Sequence, residues 1–339
     1  MMRLLIATDA WKPQINGVVR SLEHMTDEAP AYGVEVTFLT PERFRSFPMP
    51  TYPEIRLSIA WRRQVAAFVE QAKPSHVHIA TEGPIGLAVR SFCLREGRAF
   101  TTSYHTRFPE YVSARFPVPQ TLIYGALRRF HNRGRAVMVS TPSLEEELQG
   151  QGFRNIRRWT RGVDTQLFRP RSERILDAKA PIFLFVGRVA VEKNLDAFLS
   201  LELPGTKVVV GDGPSRSELQ RSYPDARFLG SLTGKALARV YASADVFVFP
   251  SLTDTFGIVL LEALASGLPI AAYPVTGPRD VVGASGCGAL SWDLREAALA
   301  SLDIPRDRCR AYGETFTWRE SARQFFANIE AACEDIAVA

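Results

Sequence analysis

Two acidic side chains, Asp254 and Glu262, are separated by seven residues beside a predicted turn from strand to helix. An apolar run that ends at Pro250 predicts a buried strand, a polar loop follows, and Gly257 opens an apolar helix. The first N–H groups of a helix lack partners within it and favour an anion such as a diphosphate. Asp254 could bind sugar hydroxyls, and Glu262 could accept two hydrogen bonds from a ribose. The structural alternative is a helix-capping acid and a solvated helix residue.

Two cations follow a second predicted turn of the same kind. The apolar run at 183–186 ends at Gly187, and the next loop carries Arg188 and Lys193. These cations could neutralise the charge that develops on a departing diphosphate, although ordinary surface charges are the alternative. A third turn contains Gly211 and is compatible with the approach of a nucleotide. The sequence contains no Asp-x-Asp pair, and we therefore predict no metal site.

In the first half of the chain, two further turns carry candidate residues. The loop that begins at Asp9 leads through Asn16 and Gly17 into a predicted helix, without the Gly-x-Gly-x-x-Gly spacing of nicotinamide-binding turns. His105 follows a predicted strand at 99–102. Because parallel strands end at one edge of a sheet, His105 should lie at that edge. Both turns could equally be structural, since a lone histidine is usually a structural residue.

These residues must be positioned by alternating strands and helices. In the first half we predict strands at 4–7, 35–39, 77–79, 99–102 and 137–140, and helices from residue 17 and at 64–72 and 85–95. In the second half we predict strands at 182–186, 207–210, 246–249 and 268–272. Such alternation predicts α/β domains with parallel sheets. Two doubly wound domains should form a ligand crevice where the carboxyl ends of their sheets face each other.

The length of 339 residues is sufficient for two domains. We predict a first domain over 1–168, a polar, proline-bracketed linker over 169–181 and a second domain over 182–317. No apolar run approaches the roughly 18 residues of a membrane span, and the first residues do not form a signal peptide. The four scattered cysteines suit a reducing compartment. We therefore expect a cytoplasmic protein.

The net charge of +5 arises in the first half of the chain. Residues 1–168 hold 22 Lys and Arg against 15 Asp and Glu, whereas the remainder holds 19 against 21. A helical stretch at 122–135 places Ile123, Leu127 and Phe130 on one side, and on the other mainly Arg128, Arg129 and Arg133. The loop at 43–53 is also apolar and basic. Either segment could attach to an anionic membrane, or the helix could pack in the core with solvated arginines. We do not expect nucleic acid binding.

Together, and in this order, the motifs resemble family 4 of the retaining GT-B glycosyltransferases over nearly the whole chain. The matching motifs are Asn16-Gly17-Val18, Ser103-Tyr104-His105-Thr106, Arg161-Gly162-Val163-Asp164, Gly187-Arg188 with Lys193, Gly211-Asp212-Gly213-Pro214, and Asp254 with Glu262. Three segments look like the branch of sulfoquinovosyl-, glucuronosyl- and mannosyl-type lipid transferases: the Phe-Pro-Met-Pro-Thr-Tyr-Pro loop at 47–53, Ser-Tyr-His-Thr at 103–106 and Arg-Gly-Val-Asp at 161–164. The resemblance implies two Rossmann-like domains facing each other across a cleft. It also implies that a terminal helix at about 318–337 completes the first domain.

The resemblance further implies a role for each candidate. Arg188 and Lys193 would hold the diphosphate, Asp254 the transferred sugar, and His105 would line the anomeric centre. The residues implied in donor binding are Gly17, Gly187, Gly211, Phe256, Gly257, Ile258 and Glu262, with no metal or other cofactor. The first acid of the motif is usually Glu, and the shorter Asp254 stands here, as in a subset that glycosylates lipids.

No second carboxylate can be placed as a nucleophile opposite Asp254, so a double displacement is unsupported. The resemblance implies instead a front-face substitution with retention. We expect a monomeric hexosyltransferase at the inner face of the cell membrane. It would move a hexose or hexuronic acid, preferably from a UDP-sugar, to a lipid such as diacylglycerol. The alternatives are transfer to a soluble or polyprenyl-linked glycan, a sugar-nucleotide 2-epimerase, and a non-catalytic nucleotide- and membrane-binding module. The joint presence of His105, Arg188, Lys193 and Glu262 disfavours the last.

Overall fold

The computed structural model describes residues 1–14, 16–49, 52–113 and 117–334. Within these ranges the chain divides into two compact α/β units, one comprising Met1–Thr160 with the segment from Trp318 onward, the other Arg161–Thr317. Each unit contains a six-stranded sheet in which all pairs are parallel. The predicted α/β fold class is confirmed for both units.

The first unit contains eight strands in the described ranges: β1 (Met2–Ala7), β2 (Val34–Leu39), β3 (Ser46–Met49), β4 (Tyr52–Ser58), β5 (His76–Ile79), β6 (Thr101–Ser103), β7 (Ala136–Val139) and β8 (Ile156–Arg158). Six of them form the parallel sheet in the order β2-β1-β5-β6-β7-β8. The helices are α1 (Gly17–Glu28), α2 (Arg62–Ala72), α3 (Pro84–Arg95), α4 (Phe108–Ser113), α5 (Gln120–His131) and α6 (Pro142–Gly150).

Polar side chains fix the ends of these elements. Asn16 caps α1, since its Oδ1 accepts hydrogen bonds from the N–H groups of Val18 and Val19, both at 3.0 Å. Asp9, at the end of β1, accepts from the N–H groups of Ile85 at 2.8 Å and Gly86 at 3.3 Å in α3. Its burial raises the pKa of the Asp9 carboxyl. Asp9 and Asn16 are therefore each bonded to the first turn of a helix, α3 and α1 respectively.

A buried histidine joins the two central strands of the same sheet. The ring nitrogens of His78 on β5 lie 2.8 Å from Thr101 Oγ1 and 2.9 Å from Ser103 Oγ on β6. Burial lowers the pKa of His78 to about 3, so the ring is neutral near pH 7. His78 is thus a structural residue of the core.

The segment predicted as a loop at 43–53 is instead largely a hairpin. Strands β3 and β4 pair antiparallel, with Phe47 opposite Leu57, while Pro50 and Thr51 lie outside the described residues. The prolines at 48 and 53 obscure the strand pattern, because proline is confined to edge positions of sheets. Both strands of a two-stranded ribbon are edge strands, so the ribbon tolerates these prolines.

The second unit contains β9 (Ile182–Val186), β10 (Thr206–Val210), β11 (Arg227–Phe228), β12 (Val246–Phe249), β13 (Ile270–Ala272) and β14 (Gly288–Leu290). The strand order is β11-β10-β9-β12-β13-β14, so the winding reverses between β9 and β12. The helices are α7 (Leu195–Leu199), α8 (Arg216–Ser222), α9 (Gly234–Ser243), α10 (Ile258–Ala265), α11 (Pro278–Val281), α12 (Leu294–Ala300) and α13 (Arg306–Gly313). Ligands of doubly wound sheets bind outside the carboxyl ends of the strands at such a reversal.

The boundary between the units lies earlier than the sequence suggests. Residues 161–168 belong to the second unit rather than the first, because Val163 and Phe168 pack in its core. The segment 169–181, predicted as a linker, has no helix or strand, and all of it is described. It lies against the second unit, where Arg174 pairs with Asp245 at 2.5 Å.

The last helix, α14 (Trp318–Glu334), belongs to the first unit. Its buried side chains include Phe325 and Ile329, and Ser321 accepts a hydrogen bond from Trp159 Nε1 at 3.0 Å. Residues 335–337 of the predicted helix lie outside the described residues. Among the helices that are described, none combines the length and apolar character needed to cross a membrane.

Two loops of the second unit approach each other too closely for side chains. A Cβ added to Gly211 would lie 1.8 Å from the carbonyl oxygen of Gly187, and the φ of Gly211 is +141°. The N–H of Gly187 also donates to Val210 O at 3.0 Å. Because the carbonyl oxygen that the Cβ would meet belongs to the backbone, rotation of a side chain offers no relief.

We expect Gly211→Ala to lower the free energy of unfolding by about 3 kcal/mol or more, through backbone overlap and strain at positive φ. Urea denaturation followed by circular dichroism measures this. Gly125→Ala is the matched control: nothing lies within 4 Å of its added Cβ. Inside α5 that change should raise stability by about 0.5–1 kcal/mol. An unchanged unfolding midpoint for Gly211→Ala would contradict the close approach.

Candidate active site

The candidate residues of the second unit lie at the reversal between β9 and β12. The loop after β9 and the loop after β12 are joined by hydrogen bonds. Asn194 Nδ2 donates to Pro250 O at 3.2 Å, and Ser251 Oγ donates to Glu192 O at 3.4 Å. Asn194 has a φ of +53°, which turns the chain from a short 3-10 helix into α7. The two loops therefore form one connected surface.

An ion pair crosses this surface. Lys193 Nζ donates to Asp254 Oδ1 at 2.5 Å, and the two side chains are only 18% and 16% exposed. The second carboxylate oxygen, Asp254 Oδ2, is buried and has no hydrogen-bond partner among the described residues. Asp254 thus orients the lysine with one oxygen and has a second that can accept a hydroxyl.

Arg188 lies on the same loop as Lys193. It is half-buried and follows Gly187 at the end of β9. The neighbouring residue Val189 donates its N–H to Asp212 O at 2.9 Å, which fixes the loop against the turn that contains Gly211. Two cations and two glycine turns are therefore gathered at the carboxyl ends of β9 and β10.

Helix α10 carries the second acid. Gly257, with a φ of +84°, precedes the helix and gives it no side-chain cap. Glu262 lies in the second turn, only 2% exposed, and its Oε2 accepts a hydrogen bond from Tyr241 Oη at 2.9 Å. The alternative of a solvated helix residue is therefore wrong for Glu262, and Asp254 does not cap α10.

The other two residues predicted from this motif contribute mainly apolar contacts. The Phe256 side chain is buried in the core of the second unit, and Ile258, the first residue of α10, packs partly buried against it. A role of Phe256 toward a ligand would therefore fall to its backbone. Sequence reasoning does not identify Tyr241; the available signal is a tyrosine on the apolar face of a helix, whose hydroxyl requires a partner.

In the first unit, the candidates lie at the carboxyl edge of their own sheet. His105 comes two residues after β6, half-buried, and its ring lies edge-on to Trp159 with centroids 5.6 Å apart. Gly17 is the first residue of α1, next to the capping Asn16. Their roles toward a ligand stay predictions.

The arginines of α5 lie on its solvent side. Tyr124, Leu127 and Phe130 are buried in the first unit, while Arg128 and Arg129 on α5 are exposed, as is Arg133 just after it. The helix predicted over 122–135 ends at His131, and the arginine face of α5 denotes these three arginines. Arg128 Nη1 donates to Gln151 O at 2.9 Å. Helix α5 is therefore packed in the core, and a membrane role would rest on its arginine face.

In the part of the chain that the structure describes, no group of three or more His, Cys, Asp or Glu side chains could hold a metal ion. The two cations predicted to meet a diphosphate, Arg188 and Lys193, both lie on the loop after β9.

Comparison with known proteins identifies the family. Residues 15–167 match the family described as Glycosyltransferase Family 4, and residues 180–302 match Glycosyl transferases group 1. A GDP-mannose-dependent alpha-mannosyltransferase of Mycobacterium tuberculosis is 32% identical over 310 residues, which cover 83% of this chain and 81% of that protein. The chain belongs to the family 4 glycosyltransferases. It is therefore a transferase that uses a nucleotide sugar.

Two further similarities extend this result. The sulfoquinovosyl transferase SQD2 of Arabidopsis thaliana is 30% identical to this family 4 glycosyltransferase over 299 residues, covering 80% of this chain and 58% of SQD2. The solved structure of Anabaena HepE in complex with UDP and glucose has a TM-score of 0.74 at 16% identity, covering 98% of this chain and all of HepE. The latter confirms the GT-B fold.

We expect Lys193→Ala to lower kcat by about 10²–10³-fold, because a preorganised charge at a leaving group contributes on this scale. Release of nucleoside diphosphate during sugar transfer measures the effect. Lys235→Ala, an exposed lysine on α9 of the same unit, is the matched control and should retain activity. Full turnover by Lys193→Ala would disprove its role at the diphosphate.

Proposed function

We propose that this glycosyltransferase moves a hexose, with retention, from a nucleoside diphosphate sugar to a lipid hydroxyl at an anionic membrane surface. The Lys193–Asp254 pair beside Arg188 is the observation that carries the donor half of this proposal. It supplies positive charge for a diphosphate and a carboxylate oxygen for sugar hydroxyls on one surface of the second unit.

The proposed chemistry follows from those charges. Arg188 and Lys193 stabilise the diphosphate as the glycosidic bond breaks, and Asp254 Oδ2 accepts a hydroxyl of the transferred sugar. Glu262 accepts the ribose hydroxyls. A diphosphate oxygen on the same face takes the proton of the acceptor hydroxyl, so the new bond forms with retained configuration. No metal ion is required, because the two side chains supply the positive charge.

A surface of the first unit supports the lipid acceptor. The hairpin surface consists of six exposed residues: Arg45, Phe47, Ile59, Trp61, Arg62 and Arg63. Three of these residues are apolar: Phe47 is 49% exposed, Ile59 42% and Trp61 67%. The N–H of Ile59 donates to Arg45 O at 2.8 Å, which holds both ends of the hairpin together. Exposed aromatic and aliphatic side chains among arginines are typical of peripheral binding to anionic lipids.

The proposal leaves two classes of donor nucleotide to be tested. The name of the mycobacterial relative specifies GDP-mannose, which makes GDP-mannose the first donor to test. UDP-sugars, the expectation from the sequence, are the second. Diacylglycerol is the proposed acceptor.

The test incubates the protein with each donor and phosphatidylglycerol vesicles that contain diacylglycerol. Mass spectrometry should detect a hexosyl or hexuronosyl diacylglycerol, and NMR should show the anomeric configuration of the donor. Transfer only to a soluble glycan would overturn the lipid acceptor, and an inverted product would overturn retention.

We expect the triple variant Trp61→Ser, Arg62→Glu, Arg63→Glu to bind phosphatidylglycerol vesicles at least tenfold more weakly. It loses an exposed aromatic ring and two cations, each worth about 1 kcal/mol near such a surface. Vesicle co-sedimentation measures the loss.

Trp292→Ser is the matched control, because Trp292 in the second unit is 69% exposed, close to the 67% of Trp61. It should bind vesicles as the unaltered protein does. If Arg129→Glu with Arg133→Glu abolished binding while the triple variant retained it, the arginine face of α5 rather than the hairpin surface would be the contact.

A further inference from the structure

A buried tyrosine on α9 is hydrogen-bonded to the second acid. Tyr241 is fully buried, and its hydroxyl donates to Glu262 Oε2 at 2.9 Å. Glu262 lies in an otherwise apolar helix. A buried carboxyl group is unfavourable unless it is hydrogen-bonded, so this hydroxyl offsets part of the cost of burying Glu262.

The phenol ring has little freedom to move. It packs edge-on against Phe168 at 5.6 Å between centroids and lies 5.8 Å from Phe247. Its hydroxyl also lies 3.5 Å from Val259 O in the first turn of α10. Side chains of a helix lean toward its amino end, so Glu262 extends toward the loop that carries Asp254. The hydroxyl therefore restrains one oxygen of the carboxylate, and with it the rotation of the group.

The orientation of that plane matters for a cis-diol. A carboxylate can accept from both hydroxyls of a ribose only when its two oxygens face them together. Rotation of the group by a few tens of degrees would keep one hydrogen bond and lose the other.

We infer that Tyr241 is a positioning residue that holds the Glu262 carboxylate for two-hydroxyl recognition, and that this pair selects ribonucleotide over 2′-deoxyribonucleotide donors. The inference rests on the proposed donor site. It adds a second helix, α9, to the parts of the second unit that determine donor specificity.

The test measures binding of UDP, GDP and their 2′-deoxy counterparts by calorimetry. The unaltered protein should prefer the ribonucleotide of the nucleotide that it binds by at least tenfold. Tyr241→Phe keeps the ring and removes the hydroxyl. It should weaken binding of the ribonucleotide about tenfold and binding of the deoxy form less than twofold.

Tyr312→Phe is the matched control. Tyr312 also packs against the core of the second unit, but its hydroxyl donates to Val281 O at 2.9 Å. This variant should keep the preference for ribose, and thermal melting should show that both variants are folded.

The binding measurements distinguish the role of Tyr241 from the existence of the donor site. Equal weakening of both nucleotides by Tyr241→Phe would show a packing role and overturn the inference, as would unchanged binding. If the unaltered protein bound neither UDP nor GDP, the donor site itself would be disproved, and the inference with it.

Discussion

The ion pair between Lys193 and Asp254 is the interaction on which the candidate site depends. It joins the loops that follow β9 and β12, the two strands between which the winding of the second sheet reverses. A partly buried pair offsets its desolvation only when further hydrogen bonds hold its geometry. The Asn194 and Ser251 contacts between the same loops supply that support.

The pair also explains how a shorter acid can serve at the first position of the motif. Asp254 reaches Lys193 with one oxygen and keeps the other buried and available. The Asp254 side chain need not reach every hydroxyl of a sugar, because Lys193 is bonded to it and lies within reach of the same proposed ligand. In the proposed mechanism, the shorter acid would both bind the sugar and orient the lysine that faces the leaving group.

Much of the fold could be predicted because buried parallel strands are continuous apolar runs. The bounds of β9 and β12 coincide with the predicted ones. The hairpin of β3 and β4 could not be predicted, because its prolines break the strand pattern. The boundary near residue 161 could not be predicted either, because it depends on the packing of Val163 in the core of the second unit. At the candidate site, the spacing of seven residues between two acids identified Asp254 and Glu262. The Lys193–Asp254 bond and the Tyr241–Glu262 bond join residues from separate elements, and no local pattern specifies them.

Strand β12 shows why residue type alone does not define a site. An acid stands near each of its ends, Asp245 before the first residue and Asp254 in the loop after the last. Asp245 accepts from the N–H of Ile182 at 2.8 Å and pairs with Arg174, so it anchors the segment that enters β9. Asp254 has the same side chain, but it stands at the carboxyl end, where the strand order reverses. Position in the topology therefore separates an aspartate that anchors the fold from one that stands where ligands of such sheets bind.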